Sequence, residues 1–136
     1  MISCPLQIRF ADVDMAGHVH NAAYVHYFES GRMYFFLSEL GEKWDWKKSG
    51  IILKKNEVIY HQPIQLADKI EIQVSCSQIG KTSFTLAYKI LDHKKGIMAE
   101  GSSILVCFDY SSNQVMPVHK AFLPMLKKHF CSLTEA

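Results

Sequence analysis

The sequence lacks the marks of several large classes of protein. No apolar run approaches the roughly 20 residues that a membrane-spanning helix needs, and residues 1–10 show no charged segment followed by an apolar one, as a signal peptide would. The 4 cysteines form no C-x-x-C pair, which argues against a zinc knuckle or a thioredoxin-like site. These absences predict a soluble protein of the reducing cytoplasm, with free thiols and no membrane partner.

A strong excess of charge of one sign is also missing. The formal net charge is +2, and the lysines occur as short pairs scattered along the chain. A nucleic-acid-binding protein would concentrate such residues on one surface, with aromatic residues between them. Scattered pairs are typical of solvated loops and strand ends, so we expect no nucleic-acid partner.

Apolar side chains, by contrast, are plentiful enough for one hydrophobic core. They make up 49% of the 136 residues, and a domain of this size buries roughly 65–70% of the surface of its unfolded chain. The length leaves no obvious room for a second domain. We therefore expect a single domain that spans residues 1–136.

The apolar pattern predicts one long helix among short strands. Asn21 is placed to cap a helix that runs to about Leu40, with Gly41 as its stop. The helix is apolar around most of its circumference, as is typical of a buried helix. A short helix disturbed by Pro124 is expected near the end of the chain, at 118–130. The predicted strands are 6–10, 51–61, 69–76, 82–91 and 97–108, and apolar and polar residues alternate cleanly in 69–76.

The order of these elements predicts an α+β fold, in which one curved antiparallel sheet wraps around a long central helix. The connections after the helix are short, which favours a meander of four antiparallel strands. One such sheet covers only part of an apolar helix. We therefore expect a second subunit to cover the rest, in a homodimer or a homotetramer.

The segment at 9–24, RFADVDMAGHVHNAAY, places two carboxylates, two histidines and an amide directly before the predicted helix. Unpaired N–H groups at the start of a helix stabilise a developing oxyanion, and Asp14 is placed to attack a carbonyl carbon or to deprotonate a water. Spacing alone leaves a second interpretation open, because an Asp-x-Asp in a loop is also typical of turns and caps. Asp12 is expected to satisfy turn amides.

This segment, with FESGR at 28–32, resembles the signature of the 4-hydroxybenzoyl-CoA thioesterase family of hotdog-fold proteins. Three later pieces agree with it, EVIY at 57–60, IGKTSF at 79–84 and AEG at 99–101. The resemblance covers almost the whole chain. It implies a hotdog-fold acyl-CoA thioesterase that uses no cofactor, since CoA is part of its substrate.

The resemblance also implies roles for single residues. Asp14 acts as the nucleophile or the general base, and a backbone N–H at or beside Asn21 is the oxyanion donor. His18 either assists water and the thioester carbonyl or packs in the loop. The residues expected to bind the substrate are Gly17, Tyr24, Phe28, Glu57, Tyr60, Lys81 and Ser83. Of these, Lys81 is placed to contact a CoA phosphate, and Glu57 or Tyr60 to lie near the Asp14 of a neighbouring subunit.

Two further groups of charged residues have simpler interpretations. Glu29 and Arg32 stand three apart on the helix, the spacing of an ion pair. The histidines at 18, 20, 26 and 61 include no pair spaced for one helical face, so we expect no metal site.

Three other functions stay open at this point. An acyl-acyl-carrier-protein thioesterase would share the fold and the chemistry. A hotdog hydratase or dehydratase would carry a His-Phe-Pro type of segment, which this sequence lacks. A non-catalytic acyl-thioester sensor would usually bring a DNA-binding domain, for which 136 residues leave no space. The identity of the acyl group is not predicted.

Overall fold

A six-stranded antiparallel sheet packs against one long helix in the computed structural model, which describes residues 1–132. The elements are β1 (Ile2–Leu6), a 3-10 turn (Phe10–Asp12), α1 (Asn21–Leu40), β2 (Gly50–Tyr60), β3 (Ile70–Ile79), β4 (Ser83–Asp92), β5 (Ile97–Asp109), β6 (Gln114–Val115) and α2 (Phe122–Lys128). The strand order is β1-β3-β4-β5-β2, with β6 beside β5. The α+β prediction is confirmed. The prediction of a single domain over residues 1–136 stays a prediction, and residues 133–136 lie outside the described residues.

The first strand lies earlier than predicted, and the expectation of a strand at 6–10 is wrong. β1 ends at Leu6, which pairs with Ile70 of β3. Beyond that point the N–H of Arg9 donates to the carboxylate of Asp12 at 2.9 Å instead of to a neighbouring strand. A side chain that captures a backbone donor in this way favours a turn over continued pairing.

The predicted meander is also wrong, because β2 lies beside β5 and not beside β3. β1 occupies the free edge of β3, so β2 pairs with the open edge of β5 instead, from Gly50 opposite Phe108 to Tyr60 opposite Ala99. A connection of about nine residues reaches roughly 30 Å when extended. It therefore crosses the three strand spacings of about 4.8 Å between β2 and β3 with ease.

Helix α1 supplies the centre of the core, as predicted, but one of its faces is uncovered in this chain. Phe28, Phe35 and Phe36 have no exposed surface, and they point toward the sheet or the elements around it. On the far side, Met33 and Leu37 are 45% and 48% exposed. The expectation that one sheet covers only part of the helix is confirmed for the single chain.

The two ends of α1 differ from the prediction in one respect. His20, and not Asn21, occupies the N-cap position, and no side-chain cap is formed there. The chain is instead held by backbone bonds, because the N–H of His20 donates to the carbonyl of Asp12 and the N–H of Ala23 donates to the carbonyl of His20. Gly41 ends the helix as predicted, with a φ of 80° that favours glycine.

The second helix is shorter than predicted and is not disturbed by its proline. α2 begins at Phe122, so Pro124 stands within its first turn. Proline is tolerated there because the N–H groups of a first turn have no intrahelical acceptor.

Candidate active site

The loop before α1 is fastened at its base by Asp12, which is 7% exposed. Its carboxylate accepts hydrogen bonds from the N–H of Arg9 and the hydroxyl of Tyr27, both at 2.9 Å. Burial by itself would raise the pKa of Asp12, but the hydrogen bonds from Arg9 and Tyr27 outweigh it and lower that pKa. The carboxylate is therefore a permanent anchor between the loop and the second turn of α1, as the structural role predicted for Asp12 requires.

Asp14 stands exposed at the tip of the same loop and is held by main-chain donors. Its Oδ1 accepts the N–H of Ala16 at 2.9 Å and the N–H of His18 at 3.1 Å. The hydrogen bond from His18 contributes most to lowering the pKa of Asp14, and the bond from Ala16 and the nearby rings of His18 and His20 add to it. Within residues 1–132 only Oδ1 accepts hydrogen bonds, so an ionised carboxylate stands at the surface with Oδ2 available.

Gly17 and His18, two residues of the predicted motif, determine the shape of the loop through their main chains. Gly17 has a φ of 82°, and a Cβ there would meet nothing within 4 Å, so the backbone conformation and not crowding requires glycine. His18 serves Asp14 through its main chain, because its carbonyl accepts the N–H of Asp14 at 2.8 Å. Its strand-like bridge to Gln65 ties the loop to the segment after β2.

The start of α1 offers backbone donors, as predicted. Within residues 1–132, the N–H groups of Asn21 and Ala22 have no acceptor, whereas that of Ala23 is bonded to His20. Free N–H groups and the positive end of the helix dipole favour negative charge at this point. Asn21 is thus a residue of the first turn and not a cap, and its role beside an oxyanion stays a prediction.

Two tyrosines line the surface beside the helix start. The hydroxyl of Tyr60 donates to the carbonyl of Asn21 at 3.2 Å, and its ring meets that of Tyr24 edge-on at 4.8 Å. Tyr24 is 3% exposed and Tyr60 is 46% exposed. Tyr60 therefore lies beside the helix start of its own chain, and its predicted place near a neighbour's Asp14 stays a prediction.

The remaining predicted substrate residues are not brought to this place in one chain. Phe28 is fully buried and stacks on Tyr88 at 4.3 Å, so its side chain lies below the surface. Glu57 lies on the sheet face away from α1, where it lines a cavity of about 490 Å³. Lys81 and Ser83 lie at the β3–β4 hairpin, at the opposite end of the sheet from Tyr60. Seven residues of β4 separate the two ends, or roughly 23 Å.

The Glu29–Arg32 ion pair predicted on the helix is present, with Arg32 Nη2 3.6 Å from Glu29 Oε2. Among the described residues, no group of three or more His, Cys, Asp or Glu side chains is arranged to hold a metal ion. No helix in that part of the chain is long and apolar enough to cross a membrane.

Sequence reasoning missed the support behind the loop. The Tyr27–Asp12 hydrogen bond and the contact of the loop with Gln65 join residues 15 and 47 positions apart. The tyrosine had no distinguishing mark among the many aromatic residues of the helix. Tyr27 differs from the other aromatic residues only because it lies on the face of α1 toward the loop, one turn after Tyr24. The sequence does not show which face that is.

The fold has close counterparts among solved structures. A predicted thioesterase from Bacillus stearothermophilus superposes with a TM-score of 0.85, at 21% identity, over 96% of each chain. A thioesterase from Thermus thermophilus, complexed with coenzyme A and zinc, superposes with a TM-score of 0.80, at 24% identity, over 93% of this chain and 91% of that one. These likenesses confirm the predicted hotdog fold.

Similarity of sequence extends over the same region. The acyl-CoA thioester hydrolase YbgC of Escherichia coli is 25% identical over 111 residues, which are 77% of this chain and 80% of that protein. The family model of the thioesterase-like superfamily matches residues 8–126, which include the Asp14 loop, the helix start and all of β2 to β5. The chain therefore belongs to the thioesterase-like superfamily.

Proposed function

We propose that the protein is an acyl-CoA thioesterase, which hydrolyses an acyl-CoA to a free carboxylic acid and CoA. The observation that carries the proposal is the ionised Asp14 carboxylate, held by two main-chain N–H groups in a loop that leads directly into the unpaired N–H groups at the start of α1. Acyl transfer to water requires an anionic base or nucleophile and a donor for the oxyanion, and this segment offers both. Membership of the superfamily and the activity named for YbgC support it.

Two roles for Asp14 fit this arrangement. As a general base it takes a proton from a water whose oxygen attacks the thioester carbonyl carbon. As a nucleophile its own oxygen attacks, and water then hydrolyses the mixed anhydride. In both cases the carbonyl oxygen becomes an oxyanion near the N–H groups of Asn21 and Ala22, the C–S bond breaks, and the CoA thiolate leaves and is protonated.

The CoA group is the proposed leaving group, in line with the coenzyme A bound to the Thermus thermophilus relative. An acyl-carrier-protein thioesterase is the second candidate, and membership of the narrower 4-hydroxybenzoyl-CoA thioesterase family stays a proposal that rests on the motif. The test is release of free thiol from a panel of acyl-CoAs and acyl-carrier proteins. Hydrolysis of the carrier-protein substrates alone would favour the second candidate, and no release from either would contradict thioesterase activity.

His18→Ala is expected to lower kcat/KM by about 10- to 100-fold, if the imidazole assists the water or the carbonyl. The main-chain bond from residue 18 to Asp14 survives the substitution, so the loss would report the ring. His93→Ala, in the turn after β4, is a suitable control. The measurement is kcat/KM from pH 6 to 8, and an unchanged profile would assign the His18 ring to packing alone.

We also propose that the protein is a homodimer or a homotetramer of the cytoplasm. Strand β2 forms one edge of the sheet and exposes Leu53 and Ile59, which are 42% and 47% exposed. An exposed strand edge of this kind is suited to a second copy of the chain, and so is the uncovered apolar face of α1. A second copy could also bring its own Lys81 and Ser83 near this Asp14, which the single chain does not do.

Light scattering coupled to gel filtration measures the assembly directly. At micromolar concentration we expect a mass of at least twice the 15.6 kDa of one chain. Leu53→Glu should shift the mass toward one chain and lower activity together, whereas Leu66→Glu, outside β2, serves as the control. A fully active particle of 15.6 kDa would contradict the assembly.

A further inference from the structure

Four polar side chains from four elements meet between the sheet and the middle of α1. Arg32 of α1 is 6% exposed, Tyr88 of β4 is 1% exposed, and Ser103 of β5 is fully buried. The hydroxyl of Ser103 donates to Oδ1 of Asn56 in β2 at 2.6 Å. The hydroxyl of Tyr88 lies beside Ser103 and the Arg32 guanidinium, which oppose the rise that burial causes in its pKa. We call these residues the Arg32 cluster.

The hydrogen bonds of the Arg32 cluster are incomplete. Nη1 of Arg32 and the hydroxyl of Tyr88 have no partner within residues 1–132. The other terminal nitrogen of Arg32 meets Glu29 at 3.6 Å, and the side chain of Glu29 is 61% exposed. A buried guanidinium without a close partner is costly, as is a buried hydroxyl. The guanidinium can only donate a hydrogen bond and the hydroxyl of Tyr88 can donate one as well as accept one, so an added oxygen acceptor would satisfy both.

A row of contacts leads from the start of α1 to this cluster. Four residues of a helix advance about 6 Å and two residues of a strand about 6.6 Å. Every fourth residue of α1 can therefore lie level with every second residue of β2. Tyr60 meets Tyr24 at one end. Val58 comes next and pairs with the glycine of β5 on which the ring of Phe28 packs. Asn56 follows and belongs to the cluster.

This row between α1 and β2 is partly exposed along the edge of the sheet. Tyr60 is 46% exposed, and Val58 and Asn56 are half-buried. The side chains of this row are aromatic and aliphatic near the start of α1 and polar at the end near Arg32. Arg32 stands eleven residues after Asn21, which places it about 16 Å along the helix axis.

We propose that the row is the acyl-binding groove and that the Arg32 cluster binds an oxygen at the far end of a medium-length acyl chain, an ω-hydroxyl or an ω-carboxylate. This substrate class rests on the proposed thioesterase function. The thioester carbonyl lies at the start of α1, the methylene groups lie along Tyr24 and Val58, and the terminal oxygen accepts hydrogen bonds from Tyr88 and Arg32. A carboxylate also replaces Glu29 as the counter-ion of Arg32.

The test compares kcat/KM for dodecanoyl-CoA with that for its ω-hydroxy and ω-carboxy counterparts, and repeats the comparison for shorter and longer chains. At the best length we expect a preference of about tenfold or more for an oxygenated chain, as one or two buried hydrogen bonds provide. A larger preference for the carboxylate than for the hydroxyl indicates that the charge of Arg32 contributes in addition to the hydrogen bond from Tyr88.

Tyr88→Phe is the decisive variant. It removes a hydroxyl that has no partner within residues 1–132, so a merely structural role predicts an unchanged or higher Tm. The proposal predicts, in addition, a fall of about tenfold in the ratio of kcat/KM for the oxygenated chain over the plain chain. Tyr110→Phe is the matched control, since the hydroxyl of Tyr110 donates to the carbonyl of Ile51 at the other end of the sheet, and it should leave the ratio unchanged.

The outcomes separate this inference from the proposed function. If plain acyl-CoAs are hydrolysed as well as oxygenated ones at every length, or if Tyr88→Phe leaves the ratio unchanged, the inference is overturned while the thioesterase function stands. If no acyl-CoA is hydrolysed, calorimetry with dodecanedioate and dodecanoate tests the cluster alone. Tighter binding of the dicarboxylate that Tyr88→Phe abolishes supports the inference, and equal binding of the two acids overturns it.

Discussion

Asp14→Asn is expected to lower kcat by at least 10²-fold and to leave the fold intact. General-base help is typically worth 10²–10⁴-fold, and loss of a nucleophile costs more. The amide oxygen of asparagine can still accept the N–H groups of Ala16 and His18, which hold the loop. What the substitution removes is the charge, because hydrogen bonds to the carboxylate lower the pKa of Asp14 and keep it ionised at neutral pH.

Asp109→Asn is the matched control for this substitution. Oδ1 of Asp109 accepts the N–H groups of Ser111 and Ser112 at 2.8 and 3.3 Å, in an exposed turn of the same kind after β5. Both variants should lose a similar, small part of their stability, measured as Tm, while only Asp14→Asn loses turnover. A folded Asp14→Asn enzyme that keeps more than about a tenth of the wild-type kcat would refute the catalytic assignment.

Gly101→Ala is expected to destabilise the protein by about 3 kcal/mol or more, at the upper end of the range for overpacked cores. A Cβ at this position would overlap the carbonyl oxygen of Glu57 in β2 and lie 2.8 Å from the ring of Phe28. The first contact is with backbone, so the β2–β5 ladder itself must shift. For a domain of this size the loss corresponds to a fall in Tm of roughly 10 °C.

Thermal unfolding with a second glycine variant checks that result. In Gly96→Ala the nearest atom to the new Cβ is the carboxylate of Asp92 at 3.4 Å, an ordinary contact. That variant should change the stability by less than about 1 kcal/mol. Equal losses in the two variants would show that crowding between β2, β5 and α1 is not what selects glycine at position 101.

Much of the candidate site was predictable because it is local. Asp14, Gly17 and His18 lie within five residues, and the segment forms hydrogen bonds within itself, both to the Asp14 carboxylate and along the main chain. The helix that follows is also local, since Gly41 and the apolar run that precedes it mark its extent. The roles of these residues in catalysis stay predictions that the variants above will test.

The relative places of residues far apart in the chain depend on strand register, which no local pattern sets. Lys81 and Ser83 resemble parts of the family pattern as clearly as Tyr60 does, yet the antiparallel register sets them at the opposite end of the sheet. The error over β2 has the same origin. A connection of nine residues is compatible with several neighbours, and the pairing of β1 with β3 leaves only the edge beside β5.

The sequence by itself determined the α+β class, the extent of α1 and the loop that presents Asp14, because each depends on hydrogen bonds and apolar spacing within a few residues. The tertiary structure alone decided the order of the strands, the anchoring of Asp12 by Tyr27 and the meeting of Arg32, Tyr88, Ser103 and Asn56. These depend on which strand edge is free and which faces meet once the sheet closes over the helix. No local sequence pattern specifies these contacts, because packing across the whole chain determines which residues meet.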